Sequence, residues 1–269
     1  MKKKKNSILR SIAAAPHVFW AIMFIVLPLI IVMYYAFTDA EGSFSFENIA
    51  ALPDYAPIFL LSLELSIIAT FVCLLVGYPL AYFIAKAKPH RQKLYIMLMM
   101  LPMWTNLLIR TYSIMAIFDD GGFLNTLLGT SMHIIGTKGA VIFGMVYDFL
   151  PFMIYPIYNT LQKMDNSLIE AAHDLGATRR QVFMKVILPL SAPGIYSGIV
   201  MVFMPTVSTF AIAELLTHNK VTLFGSLIQR CFGEGGIAMW NYGAALSLIM
   251  LIIIGMTSFF GDDREDINR

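Results

Sequence analysis

The chain has 269 residues, of which 58% are hydrophobic and only 13% are charged, and its mean hydropathy is +0.71. A soluble domain of this length would carry roughly twice that charged fraction, so the composition excludes an ordinary soluble protein and indicates an integral membrane protein. The two cysteines, Cys73 and Cys231, lie in an apolar run and in a predicted loop, which argues against a disulfide framework or a thiolate metal site.

Apolar segments long enough to cross a bilayer recur along the chain, because about 20 apolar residues span the hydrocarbon core as a helix. We predict six such spans, at residues 16–37, 60–85, 94–117, 139–161, 193–214 and 237–260. Transmembrane β-strands would show segments of about ten alternating residues instead. The sequence therefore predicts an all-α membrane protein with six transmembrane helices.

Lysine and arginine are concentrated on one side of these predicted spans. That side carries Lys2, Lys3, Lys4, Lys5, Arg10, Lys86, Lys88, Arg91, Lys93, Lys163, Arg179, Arg180, Lys185, Arg264 and Arg269. The opposite side carries only Lys138, Lys220 and Arg230. Basic residues near spans stay in the cytoplasm, so both termini are predicted to be cytoplasmic. The first apolar run is too long for a secretory signal core and lacks a small-residue cleavage site, which favours an uncleaved span.

The connection between the fourth and fifth predicted spans is unusually polar for a link between two membrane helices. Ser167 with Glu170, and Thr178 with Gln181, match the pattern of a capping box at a helix start. Gly176 stands between the two patterns, where a helix-ending glycine is expected. We therefore predict a short helix, a turn and a second helix in this connection.

This polar insert covers residues 162–192, with helices predicted over 168–175 and 179–187 and with Pro189 and Pro193 ending the second helix. Small residues leave part of its surface open to close approach by another protein, and the polar residues around them are His173, Asp174, Arg179, Arg180 and Lys185. Two interpretations remain open at this point: a docking element, or an amphipathic helix pair resting on the lipid surface.

The residue order through the insert resembles the EAA motif of the permeases of ATP-binding-cassette importers. The matching residues are Glu170, Ala171, Ala172, Gly176, Val186, Leu188 and Pro189. Val186 stands where the family more often has isoleucine. The resemblance extends from the second span to the sixth, and residues 101–106, 110–112 and 150–153 resemble the B-type permeases of spermidine/putrescine importers.

The resemblance implies that the insert is a cytoplasmic coupling-helix hairpin that docks on a separate ATPase subunit. The residues implied in this coupling are Glu170, Ala171, Ala172, Asp174, Gly176, Arg179 and Arg180. It also implies two cytoplasmic ATP-binding subunits, a second homologous permease, and an extracytoplasmic substrate-binding protein. Closure of the two ATPases would then drive alternating access in a bacterial plasma membrane, by biasing a helix bundle between two states.

The resemblance also implies a division of the chain. Residues 60–260 would form the transmembrane permease core, including the insert, and residues 1–59 would hold the basic tail, the first span and the first outer loop. Residues 261–269 would be a cytoplasmic tail. The sequence has no Gly-x-x-x-x-Gly-Lys-Ser/Thr phosphate loop, so we predict that ATP and Mg²⁺ bind to partner subunits and that this chain is not an enzyme. Neither a cofactor, a metal nor nucleic acid is expected as its ligand.

One acidic residue lies deep within a predicted span, and such charges are often functional. Asp148 is about nine residues into the fourth span, roughly 13 Å at 1.5 Å per residue. With Tyr147, Tyr155 and Trp104 it could bind an ammonium group by ion pairing and cation–π attraction. A hydrogen bond between subunits or within the bundle is the equal alternative for Asp148.

Three further expectations concern the spans. Pro151 and Pro156 are expected to disrupt the fourth helix and free carbonyl groups. Arg110 is expected to extend its side chain outward or to pair with Asp119 or Asp120. Two alternative functions remain: a self-sufficient secondary transporter or channel that uses Asp148 as an ion site, and a permease for another small solute.

Overall fold

The computed structural model describes residues 15–129, 133–233 and 236–266. In chain order its helices are α1 (Ala15–Ala36), α2 (Glu47–Ala50), α3 (Ala56–Lys86), α4 (Pro89–Met100), α5 (Leu107–Phe118), α6 (Phe123–Leu128), α7 (Lys138–Lys163), α8 (Asn166–Asp174), α9 (Arg179–Leu190), α10 (Ala192–Ser208), α11 (Ala211–Thr217), α12 (Phe224–Gly233) and α13 (Ile237–Asp266). Short π-helical turns interrupt α1 and α9 at Ile22–Val26 and Phe183–Ile187. The all-α prediction is thus confirmed over the part of the chain that is described.

Several helices have the length and composition of membrane spans. In the described ranges these are α1, the continuous Glu47–Lys86 segment that ends in α3, and α7. Two bent pairs pass the same test, Pro89–Trp104 with Leu107–Leu128 at 89° and Arg179–Leu190 with Ala192–Ser208 at 59°. A shorter apolar stretch, Met239–Gly255, lies within α13.

The third predicted span is not one unbroken helix. The chain ends a 3₁₀ turn at Trp104 and starts α5 at Leu107, because Asn106 Oδ1 accepts the Leu108 amide at 2.8 Å and caps a new helix. Thr105 Oγ1 closes the preceding turn on the Pro102 carbonyl at 2.7 Å. The unbroken helix predicted over residues 94–117 is therefore wrong.

The fourth span behaves in the opposite way, since α7 runs without interruption through Pro151 and Pro156. The expected disruption by these prolines is wrong. Both lie in a segment packed on several sides, where Met153 and Ile157 are completely buried. A proline removes one backbone hydrogen bond, but packing by neighbouring helices and side chains lets membrane helices tolerate that loss.

Contacts between Cα atoms divide the chain into two compact units, Met1–Ala56 with Ile228–Ile252, and Pro57–Leu227 with Ile253–Arg269. The core of the second unit is built around α7. Gly194 of α10 lies so close to this helix that a Cβ atom would be 2.8 Å from the Pro156 carbonyl oxygen. Only glycine permits this approach of the two backbones, as is common between membrane helices.

The first unit has a small core in which Ala36 of α1 packs with Ala244 and Ala245 of α13. Cys231, predicted to lie in a loop, is buried in α12, and both cysteines of the chain are free thiols. That loop prediction is wrong because Cys231 belongs to an amphipathic helix of ten residues that ends at the Gly-rich stretch.

Candidate functional site

The polar insert folds into two short helices, and its first helix is capped differently from the prediction. α8 begins at Asn166, because Asp165 Oδ1 accepts the Ser167 amide at 2.9 Å. The capping box of Ser167 with Glu170 is therefore wrong. This hydrogen bond lowers the pKa of the Asp165 carboxyl below its ordinary value of 3.8. The cap is thus present at neutral pH and is lost only as acid protonates the carboxylate.

The turn that ends α8 confirms the role predicted for Gly176. This residue has a φ of +81°, in the left-handed region that favours glycine. Its amide donates to the His173 carbonyl at 2.9 Å, and the Ala177 amide donates to the Ala172 carbonyl at 3.1 Å. These two bonds form a Schellman motif, which fixes the direction of the chain after α8.

The second predicted capping box is also present. The Thr178 amide donates to Gln181 Oε1 at 2.8 Å, and the Gln181 amide donates to Thr178 Oγ1 at 3.4 Å. α9 starts at Arg179 as predicted but continues through Pro189 to Leu190. The predicted end at residue 187 is wrong because a proline is tolerated in the first turn of the helical segment that follows the π turn.

The surface of this hairpin carries the residues expected to couple to an ATPase. Glu170, Ala171, Asp174, Gly176, Arg179 and Arg180 are exposed, and Ala172 is half-buried. Two apolar residues that the sequence reasoning missed accompany them, Leu168 at 48% exposure and Leu175 at 89%. With Ala171 they follow the i, i+3, i+7 spacing of one helix face, a signal present in the sequence. We call Leu168, Ala171 and Leu175 the apolar stripe of α8.

The opposite side of the hairpin is anchored to α3. The Phe183 ring packs edge-on against Tyr78 and Tyr82, with centroid distances of 5.9 Å and 5.7 Å. The hydroxyls of Tyr78 and Ser191 are 3.0 Å apart, at the bend between α9 and α10. Packed side chains therefore connect α9 directly with α3.

A cavity of about 150 Å³ is lined by residues of α3, α4, α7, α8 and α9, and Gln92 is one of its polar lining residues. Gln92 Nε2 donates to the Ala85 and Ala87 carbonyls at 2.9 Å and 2.8 Å. Its Oε1 accepts from the Tyr158 hydroxyl and from Gln162 Nε2, each at 3.4 Å. Gln92 thus connects the turn after α3 with the end of α7, next to the insert.

Asp148 is fully buried, and its charge is matched inside the chain. Arg110 Nη1 lies 3.2 Å from Asp148 Oδ1, and Thr111 Oγ1 donates to Asp148 Oδ2 at 3.3 Å. The expectation that Arg110 points outward or pairs with Asp119 or Asp120 is wrong. A buried carboxylate needs a nearby counter-ion more than an exposed one does, since the interior stabilises charge poorly.

The aromatic residues predicted to share a site with Asp148 have open faces instead. Tyr147, Tyr155 and Trp104 are 44%, 40% and 85% exposed. The fully buried carboxylate does not reach the surface that these rings present. The structure therefore brings Asp148 together with Arg110 and leaves the three rings on exposed faces.

The chain is similar in sequence to known permease proteins over most of its length. The chain is 38% identical over 268 residues to the spermidine/putrescine transport system permease protein PotB of Haemophilus influenzae, with 94% of this chain and 93% of the relative covered. It is 37% identical over 252 residues to the protein of the same name in Escherichia coli, with 88% of this chain and 90% of the relative covered.

Solved structures share the fold. One is a bacterial ABC transporter involved in the import of the acidic polysaccharide alginate, with a TM-score of 0.75, 17% identity and coverage of 97% and 98% of the two chains. Another is the MetNI methionine ABC transporter, with a TM-score of 0.58, 19% identity and coverage of 77% and 93%.

The family model described as the inner membrane component of binding-protein-dependent transport systems matches residues 77–262. This match covers more than half of the chain and includes α7, the hairpin and α10. The chain therefore belongs to this family, as a multi-pass permease of the bacterial plasma membrane.

Proposed function

We propose that this permease carries polyamines in an ATP-driven importer and that separate ATPase subunits dock on α8. The observation that carries the docking proposal is the apolar stripe, because Leu175, the residue that caps the end of α8, is 89% exposed. An exposed apolar patch rimmed by charged residues is typical of a protein interface. The polyamine assignment is supported by relatives named as spermidine/putrescine permeases, up to 38% identical to this chain.

The topology proposed is six spans with both termini in the cytoplasm. Three single helices, the bent pair Pro89–Trp104 with Leu107–Leu128, α10 and the apolar part of α13 supply the six spans. The lysine and arginine asymmetry supports the orientation. In this arrangement residues 60–260 are the permease core, and the hairpin of α8 and α9 lies in the cytoplasm between the fourth and fifth spans.

Coupling in this proposal runs through a short chain of contacts. An ATPase groove holds the apolar stripe, while Glu170, Asp174, Arg179 and Arg180 contribute charged contacts at its rim. A shift of α8 is then passed to α9, and from α9 to α3 through Phe183 and its two tyrosine partners. ATP and Mg²⁺ bind to the partner subunits, and a second homologous permease and an extracytoplasmic binding protein complete the importer.

In this proposal the substrate contacts the exposed rings of Trp104, Tyr147 and Tyr155. Asp148 does not touch the substrate and acts only by holding two helices together. Asp148 holds α5 on α7 through Arg110 and Thr111. Trp104 stands at the break between α4 and α5, and broken helices commonly border binding sites in transporters. The faces of Trp104, Tyr147 and Tyr155 can attract ammonium groups by cation–π contact.

Leu175→Glu tests the docking proposal. The substitution should abolish co-purification of the ATPase subunits and lower polyamine uptake at least about tenfold, since it puts a charge into an apolar contact. His90→Glu is the control, because His90 is exposed in the first turn of α4 and lies outside the hairpin. Uptake that persists in Leu175→Glu with no ATPase bound would favour a self-sufficient transporter and contradict the proposal.

A further inference from the structure

The loop after α1 is folded around Asp39. Asp39 Oδ1 accepts the Glu41 amide at 3.0 Å and the Ser43 amide at 2.8 Å. A β-bridge between Thr38 and Phe44 closes the loop. The loop therefore holds its carboxylates in a defined place rather than on an extended strand.

Two buried amides tie this loop to the rest of the first unit. Asn48 Nδ2 donates to the Thr38 carbonyl at 2.8 Å, and Asn241 Nδ2 of α13 donates to the same carbonyl at 2.7 Å. Asn241 is only 1% exposed, and its Oδ1 accepts no hydrogen bond within the described structure. Because its Nδ2 is held by Thr38, the amide cannot turn over, and Oδ1 remains an acceptor that needs a donor.

A cavity of about 300 Å³ lies beside this loop and includes Asn241 in its lining. It is lined by Asp39, Ala40, Glu41, Glu47, Asn48, Asn241 and Tyr242. Three of these residues are carboxylates and none is basic, so the cavity has a formal charge of −3 at neutral pH. Asp54 belongs to the same connection but does not line the cavity.

The chemistry of this lining selects a particular kind of cation. Among the described residues, no three His, Cys, Asp or Glu side chains come together closely enough to hold a metal ion. A divalent cation requires six or more oxygens at 2.0–2.6 Å. A primary ammonium instead donates three separate hydrogen bonds, and the oxygens that accept them can lie apart from one another. Charge and an unfilled acceptor both match an ammonium ion.

We propose that this cavity binds one ammonium end of a small linear diamine or polyamine. Its location on the outer face, and its use in collecting substrate before transport, rest on the proposed function. Asn241 Oδ1 and the carboxylates of Glu41 and Glu47 receive the ammonium, and Asp39 keeps the loop in shape. The residues that line the cavity belong to the first unit, and Asp148 belongs to the second.

The test uses the assembled permease–ATPase complex in nanodiscs, without the extracytoplasmic binding protein. Putrescine binding is measured by calorimetry for the native complex, for Glu41→Gln with Glu47→Gln, and for Asp54→Asn as the matched charge control. Loss of two charged acceptors should weaken binding about tenfold, whereas Asp54→Asn should change it less than about twofold. The melting temperature without ligand verifies that each variant is folded.

Two outcomes would overturn the proposal. One is equal putrescine affinity in the double variant and the native complex. The other is a double variant that keeps its putrescine affinity but loses affinity for the extracytoplasmic binding protein when that protein is added. That result would make the cavity a docking surface. ATP-driven uptake is measured separately in liposomes. If the native complex takes up no polyamine but binds putrescine, and the double variant weakens that binding, the proposed function is rejected and the cavity site is retained. If the native complex takes up polyamine but the double variant binds putrescine as tightly as the native complex does, only the cavity site is rejected.

Discussion

Two opposite charges are buried in the second unit, Asp148 on α7 and Arg110 on α5. They are 0% and 10% exposed at the side chain, and the contact of 3.2 Å is an ion pair without hydrogen-bond geometry. Replacing such a pair by apolar residues is often neutral, whereas removal of one partner is strongly destabilising. Asp148 therefore stabilises the helix bundle by pairing with Arg110.

Asp148→Asn should destabilise the permease by about 3–5 kcal/mol, because Arg110 would remain buried without an anion. Arg110→Met combined with Asp148→Leu should recover most of that stability. Thermal unfolding of the purified variants in detergent measures both effects. A stable Asp148→Asn protein with impaired polyamine uptake would instead assign Asp148 to direct ligand contact.

At the scale of elements, the hairpin shows how local sequence sets a docking surface. The Schellman turn at Gly176 and the capping box at Thr178 determine the angle between α8 and α9. The same geometry leaves Leu175 exposed beside the turn. A change in the turn should therefore move the apolar stripe without altering its composition.

Gly176→Ala tests this dependence. A Cβ at this position meets no atom within 4 Å, so the penalty is conformational and about 1–2 kcal/mol. The variant should fold but bind the ATPase subunits more weakly, and Gly176→Asn should be milder because asparagine tolerates positive φ. Affinity of the purified permease for its ATPase distinguishes the two, and identical affinities would show that the turn does not position α8.

At the scale of the whole molecule, the chain presents two surfaces with different chemistry. The hairpin offers an apolar stripe with charged neighbours of both signs, and the loop after α1 offers an acidic cavity. In the proposed topology these surfaces lie on opposite sides of the membrane. Such an arrangement suits a permease that receives a cation on one side and mechanical work on the other.

Cysteine labelling measures that topology. Phe44→Cys and Leu175→Cys occupy positions that are 71% and 89% exposed. In intact spheroplasts, a membrane-impermeant maleimide should label Phe44→Cys, while Leu175→Cys should require permeabilised membranes. The natural thiols, Cys73 and Cys231, are buried and should give a low background. Labelling of both positions from the same side would contradict the proposed orientation.

The sequence by itself determined the membrane class, the caps at Thr178 and Gly176, and the family motif. These features depend on residues a few positions apart, so hydropathy and spacing are sufficient to find them. The break at Asn106 was missed even though its cap is local, because a strong apolar run concealed it. Leu175 stands in an insert that is dominated by polar and small residues, so composition alone does not single it out.

Only the tertiary structure decided which distant residues meet. Arg110 and Asp148 lie on different helices, and each has other charged residues nearer in sequence. The Asn241 amide and the Thr38 carbonyl are separated by 203 positions along the chain. Hydrophobic packing of helices selects such pairs, and burial then makes them energetically important. Periodicity indicates which face of a helix is buried, but the partner of that face is set by the packing of the whole bundle.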